Sequence, residues 1–181
     1  MTKTKRELAH LLPIAENLAE ELRAFCERIE IAGSLRRRAS HAGDIEVVAI
    51  PRFGEIVTPD LFGDGRVTRS NLLWTRLDSM ETIEEISYSK QGNKYRQFRL
   101  YGETQVDLFT AQPGNWGWIF LIRTGSADFS RGMAISLNRA GYTSKQGWVI
   151  DLKTDKRIET PNEEDVFKRA GRSWVRPEDR I

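Results

Sequence analysis

The chain has 181 residues, 39% hydrophobic and 30% charged, with 28 Lys plus Arg against 26 Asp plus Glu, a net charge of +2. This composition excludes a disordered chain, and no apolar run approaches the ~18 residues that a membrane span needs. The lone Cys26 excludes an intrachain disulfide, and with only His10 and His41 besides it a structural zinc site is disfavoured.

In chain order, Leu8, Leu11, Leu12, Ala15, Leu18, Ala19, Leu22 and Phe25 recur at helical spacing and predict an amphipathic helix over 5–28, bent or started late by Pro13. Charged residues interrupt this start, so no signal peptide is read, and a cytoplasmic, reducing setting is expected. Short strands are expected at 29–32 and 45–50, the second stopped by Pro51. Residues 52–69, rich in Gly, Pro and Asp, predict a loop, and 71–80 a short helix. Strands follow at 83–89, 94–101 and 104–110, with Gly102-Glu103 turning the last hairpin. Helices are expected over 116–122 and 126–140, the second closed by Gly141; short strands near 142–150 and a helix at 162–170 complete the chain. Trp116, Trp118 and Phe120 are expected in the core, and Trp148 and Trp174 in the packing of the C-terminal part. The fold class is α+β: a mixed, mostly antiparallel sheet with helices on one face over 1–112, then a small α/β subdomain over 113–181.

One constellation stands out. Gly33-Ser34 follows an apolar strand, and such a turn leaves backbone N–H groups and a hydroxyl for phosphate oxygens. Ten residues on, Asp44-Ile45-Glu46 places two carboxylates at i and i+2, hence on one face of a strand. Asp107, in its own strand, can complete the cluster. Three acids beside a phosphate-binding turn suit two divalent cations and a triphosphate, the apparatus of nucleotidyl transfer. An isolated D-x-E would be an exposed strand face; the frame around it favours the site.

Charge is distributed unevenly. Lys90, Lys94, Arg96 and Arg99 fall in an acid-free stretch, and Arg36-Arg37-Arg38 follow the Gly-Ser turn. A local basic surface suits a nucleic-acid partner, with a solvated strand face as the plainer account. Tyr95, between two cations, is a candidate for base stacking, although strand aromatics more often pack.

These residues carry a resemblance. Ile31-Ala-Gly-Ser-Leu-Arg-Arg-Arg38 with Gly43-Asp-Ile-Glu46 resembles the palm signature of family X DNA polymerases, and Arg123-Thr-Gly-Ser126 with Phe129 resembles the segment entering that family's nucleotide-binding helix. Gly141-Tyr-Thr143, Pro161-Asn-Glu-Glu-Asp-Val-Phe167 and Trp174-Val-Arg-Pro-Glu-Asp-Arg180 resemble the segments that follow, so the likeness spans roughly 29–180. The resemblance implies a nucleotidyltransferase palm and a nucleotide-selecting subdomain, in a minimal form without lyase or duplex-binding domains, of a kind encoded by some viruses and phages. It implies Asp44, Glu46 and Asp107 as catalytic metal ligands for two Mg2+ or Mn2+ ions, with Gly33, Ser34, Arg37, Gly43, Thr124, Gly125 and Ser130 on a dNTP; Arg123, outside the family pattern, is a candidate for the triphosphate or else an exposed helix-end arginine. Lys90, Lys94, Tyr95, Arg96 and Arg131 are the candidates for contact with primer–template or gapped DNA, and a monomer is expected.

Two departures bear on chemistry. Glu46 stands where the family usually has Asp, which moves the carboxylate by about 1–1.5 Å and can favour manganese. Ile122-Arg123 replace an aromatic pair that helps to exclude ribonucleotides. The implied activity is short gap filling; the alternatives are a template-independent, small-molecule or protein nucleotidyltransferase on the same palm, or a silent DNA-binding module.

Overall fold

A computed structural model describes residues 5–58, 66–101 and 103–181 and, at 56–58, 66 and 84–91, the backbone alone. The chain opens with strand β1 (Arg6–Glu7), helix α1 (Leu8–Arg23), β2 (Cys26–Ile31), a short helix α2 (Gly33–Arg36), β3 (His41–Ala42) and β4 (Ile45–Pro51). It continues through β5 (Phe53–Thr58), β6 (Arg66–Asn71), α3 (Leu72–Asp78), β7 (Ile83–Gly92), β8 (Tyr95–Leu100) and β9 (Thr104–Thr110). A 3-10 turn (Pro113–Asn115) leads into α4 (Trp116–Thr124), α5 (Ala127–Arg139), β10 (Tyr142–Lys145), β11 (Trp148–Asp151), β12 (Arg157–Ile158) and α6 (Glu163–Arg169).

The main sheet has strand order β2-β4-β9-β8-β7 and is antiparallel except where β4 and β9 run parallel. These two central strands are buried on both faces. Val47, Ala49, Val106 and Leu108 point into a core with Leu11, Leu18 and Leu22 of α1 and Leu73 and Leu77 of α3. Because side chains alternate along a strand, Val48, Ile50 and Phe109 point the other way, against Trp116 and Phe120 of α4. Helices therefore cover both faces, not one. The α4 sequence Trp-Gly-Trp-Ile-Phe-Leu is apolar all round because it has two neighbours: Trp118 and Leu121 turn away from the sheet into a third core with Met133, Leu137, Val149 and Phe167.

The expected loop at 52–69 contains a hairpin. β5 and β6 pair antiparallel from Phe53↔Asn71 to Thr58↔Arg66. Its arms hold β-branched residues (Ile56, Val57, Val67, Thr68) that favour strands, whereas the turn-forming residues cluster in 59–65, outside the described residues, as is Gly102 of the other expected turn. Trp174 is 44% exposed rather than packed. Among the described residues, no helix is long and apolar enough to cross a membrane.

Candidate active site

The parallel register pairs Glu46 on β4 with Asp107 on β9. Both belong to the α4 side of the sheet by strand alternation, and Asp44, two residues before Glu46, shares that side. All three acids, with Tyr95, Phe109 and Arg123, line one cleft of about 1060 Å3 between the sheet and the C-terminal elements. The sequence thus places its three carboxylates together through one alternation and one parallel pairing.

Asp107 is 8% exposed and tightly held. Its Oδ1 accepts from Tyr95 Oη at 2.7 Å and Gln97 Nε2 at 2.6 Å, and its Oδ2 accepts from Gln105 Nε2 at 3.1 Å. Tyr95 in turn stacks on Phe109, 4.7 Å between ring centroids. One face of the Tyr95 ring is thus taken by Phe109 and its hydroxyl serves Asp107, while the residue still lines the cleft. Burial, then the bond and charge of Asp107, push the Tyr95 hydroxyl above its ordinary pKa, so it stays a donor. Neither glutamine stood out in the sequence, although Gln105 at i−2 from Asp107 shares its face by alternation.

Glu46 is the electrostatically stressed acid. Burial first, then the charges of Asp44 and Asp107, push its pKa up to about 7, against the opposing pull of Arg123 and Arg37. From pH 4.5 to about 7 the unfolded chain ionises this group before the folded one does, so stability falls with rising pH. Above that window the penalty is complete. Glu46→Gln should therefore unfold at higher denaturant than wild type at pH 8, by roughly 1–3 kcal/mol, and match it at pH 4. Urea titrations at the two pH values check this; equal midpoints at pH 8 would mean that Glu46 is not desolvated.

Behind Glu46 lies α2. Gly33 has φ +61°, and a Cβ there would stand 2.1 Å from Glu46 Oε2. Its missing side chain admits the carboxylate, and its left-handed backbone favours glycine. Gly33→Ala is expected to displace Glu46 and cost about 1–2 kcal/mol of backbone strain. A lowered urea midpoint together with loss of the raised Glu46 titration would establish both effects. Ser34 is half-buried in α2, and Gly43 is half-buried just before Asp44.

Arg36, the last residue of α2, and Arg37 just after it act as a clamp on the turn between α4 and α5. Arg36 Nη1 donates to Thr124 Oγ1 at 2.6 Å. Arg37 Nη1 donates to the carbonyls of Thr124 and, at 2.7 Å, Gly125. Arg37, expected on phosphate, thus has this nitrogen on the helix end, where a cation meets the α4 carbonyls. Ser130, expected near the substrate, donates to the Ile122 carbonyl at 3.1 Å, and a Cβ on Gly125 would meet its Oγ at 2.3 Å. Turn and Ser130 are one packed unit.

Arg123 projects from the end of α4 into the cleft. Its guanidinium carbon lies 3.8 Å from the Phe109 ring centroid, and its Nε is buried without a hydrogen-bond partner among the described residues. Desolvation lowers its pKa against the charges of Glu46, Tyr95 and Asp107. A buried orphan donor beside acids is a position that a ligand oxygen would satisfy.

In the expected basic strand, Arg96 is engaged within the molecule. Its Nη1 binds Asp78 Oδ1 at 2.6 Å and its guanidinium covers Trp74 at 4.6 Å, so it braces β8 to α3. Lys94 stands at the cleft rim, its Nζ donating to the Gln146 carbonyl at 3.1 Å. Arg131 pairs with Asp128 on an exposed helix face. The side chain of Lys90 lies outside the described residues.

The acids fit a hard divalent cation by their donor chemistry and their mutual repulsion at Glu46. Among the described residues, however, no three His, Cys, Asp or Glu side chains are drawn together as a ready metal cluster.

Residues 119–181 match the family model described as DNA polymerase beta thumb. The solved structure of Leishmania infantum polymerase beta, described as a ternary P/T complex, is similar to this chain with a TM-score of 0.74 at 20% identity. That similarity covers 98% of this chain and 77% of that one. No curated protein matches.

Proposed function

From a chain that has the fold of polymerase beta and matches the polymerase beta thumb family model over 119–181, we infer a metal-dependent nucleotidyltransferase that extends a DNA primer by one or a few nucleotides, as in short gap filling. The observation that carries this reading is the parallel register of Glu46 with Asp107, which brings buried Asp107 and half-buried Glu46 and Asp44 into one cleft.

Asp44 and Glu46 would hold two Mg2+ or Mn2+ ions, with Asp107 on the one nearer the primer 3′-OH. When bound, such ions lower the pKa of the attacking hydroxyl and neutralise charge at the α-phosphate. Asp107, its carboxylate held by Tyr95, Gln97 and Gln105, would accept the hydroxyl proton. Arg123 offers its orphan Nε to a triphosphate oxygen, a charge-assisted bond. The Gly33-Ser34 amides lie ahead of the first helical bond of α2, Arg36 N to Ala32 O at 3.2 Å, and serve the terminal phosphates.

The test is extension of a labelled primer, with and without template, each dNTP and NTP given singly, in magnesium and in manganese. Template-directed addition of dNTPs is the expected result. Addition that ignores the template would favour a template-independent transferase, and no transfer in either metal would overturn the reading.

A further inference from the structure

The cleft does not stop at the acids. It runs along β4 and β9 past Ile50, Pro51 and Ala111, and reaches Phe53 of the β5–β6 hairpin and Trp148 at the start of β11. At 3.3 Å per strand residue, the seven steps from Glu46 to Phe53 span at most about 23 Å. Phe53 is 54% exposed, although a phenylalanine in a strand is ordinarily covered. Arg69, from the partner strand β6, lies 5.4 Å from its ring centroid. Trp148 is half-buried, its ring edge taking the space left beside Gly114, and Arg157 of β12 lies 5.2 Å from its centroid and lines the same cleft. Two aromatic rings, each attended by a guanidinium, thus share the cleft with the acids.

Rings that line an open cleft beside cations suit unpaired nucleobases. Every base has a face to stack, while the arginines answer the phosphates. Duplex bases stack on one another and cannot use such rings. If the primer ends at the acids, the strand that continues through the cleft is the unpaired part of the template. We propose that Phe53 and Trp148 form a stacking ledge for single-stranded DNA beyond the reacting base pair, which rests on the nucleotidyltransferase reading above. At 3.4 Å per stacked nucleotide, the ledge lies up to about seven nucleotides from the reaction.

The test uses the full chain and fluorescein-labelled duplexes that are blunt or carry template overhangs of 2 or 10 nucleotides, with a 10-unit abasic overhang as a further probe. Anisotropy should give tighter binding for the 10-nucleotide overhang than for the blunt, 2-nucleotide and abasic duplexes. Phe53→Ala and Trp148→Ala should each remove about 5- to 100-fold of that gain. Phe53→Trp should keep it, and Phe53→Leu, apolar but without an aromatic face, should not. Phe53 is exposed, so its variants should keep the wild-type thermal midpoint; if Trp148→Ala unfolds, the Phe53 series decides alone. Equal affinity for abasic and natural overhangs, or an unchanged gain in Phe53→Ala, would overturn the ledge. Wild-type primer extension on the same duplexes separates the outcomes: transfer without an overhang gain removes the ledge alone, whereas absent transfer removes the parent reading.

Discussion

Asp107→Asn should abolish nucleotidyl transfer, by at least about 10²- to 10⁴-fold, the scale on which a catalytic electrostatic or proton-accepting group acts. The substitution keeps the shape of the side chain but removes its charge and one acceptor. An asparagine oxygen can still receive Tyr95 Oη and Gln97 Nε2, which now meet Oδ1. Its amide nitrogen would then face Gln105 Nε2, donor against donor, where Oδ2 now accepts. Some local relaxation is expected, with Gln105 turning away, while the strand stays buried and the fold intact. Single-turnover extension rates measure the loss, and circular dichroism and thermal melting establish that the chain remains folded. Transfer near the wild-type rate would remove Asp107 from the chemistry.

The second large effect concerns stability. Glu163, at the start of α6, accepts two guanidinium forks on one carboxylate. Oε1 receives Arg36 Nη1 at 2.8 Å and Arg180 Nη1 at 2.6 Å; Oε2 receives Arg36 Nη2 at 2.7 Å and Arg180 Nη2 at 3.1 Å. The Arg180 side chain is fully buried and Glu163 is 6% exposed. Arg180 also donates to the Val175 carbonyl, and Arg36 spans to the Thr124 turn, so the triad ties α2, α6 and the C-terminal segment together. Removing the single anion leaves the buried Arg180 cation facing the partly buried Arg36 cation. Glu163→Gln is expected to cost about 3–5 kcal/mol, the range found when one member of a buried ion pair is deleted. A urea midpoint within error of wild type would show that the triad contributes nothing.

Its pH dependence has a definite sign. Burial alone would raise the Glu163 carboxyl, but the bonds and charges of Arg36 and Arg180 prevail and hold it below its ordinary 4.5. A lowered folded-state pKa contributes stability above the unfolded value and loses it as pH falls through the folded one. Wild type should therefore lose stability more steeply below pH 4.5 than Glu163→Gln, so the two curves converge in acid. Glu46, raised to about 7, acts in the opposite sense and in the higher window.

That the three acids share one cleft was legible in the sequence, because alternation along a strand is local and the spacing of Asp44 and Glu46 needs no tertiary knowledge. The glutamines around Asp107 were less so. Gln97 meets Asp107 through the β8–β9 register, which the sequence does not print. The triad had no local signal, since Arg36 and Glu163 are 127 residues apart. The intramolecular partners of Arg96, Asp78 and Trp74, had no local signal because they come from α3 rather than from its own stretch. The β5–β6 hairpin was hidden by the Gly/Pro/Asp-rich run between its arms, and with it the one large ring that β5 leaves exposed in the cleft, Phe53.

The most direct test of the central claim, that Asp44, Glu46 and Asp107 form one metal-dependent centre, is anomalous diffraction from crystals grown with Mn2+ and a non-hydrolysable dNTP. Two manganese peaks are expected, bridged by Asp44 and Glu46 with Asp107 on one of them, and the triphosphate against Gly33-Ser34. Manganese absent from these three carboxylates, with nucleotide bound, would contradict it.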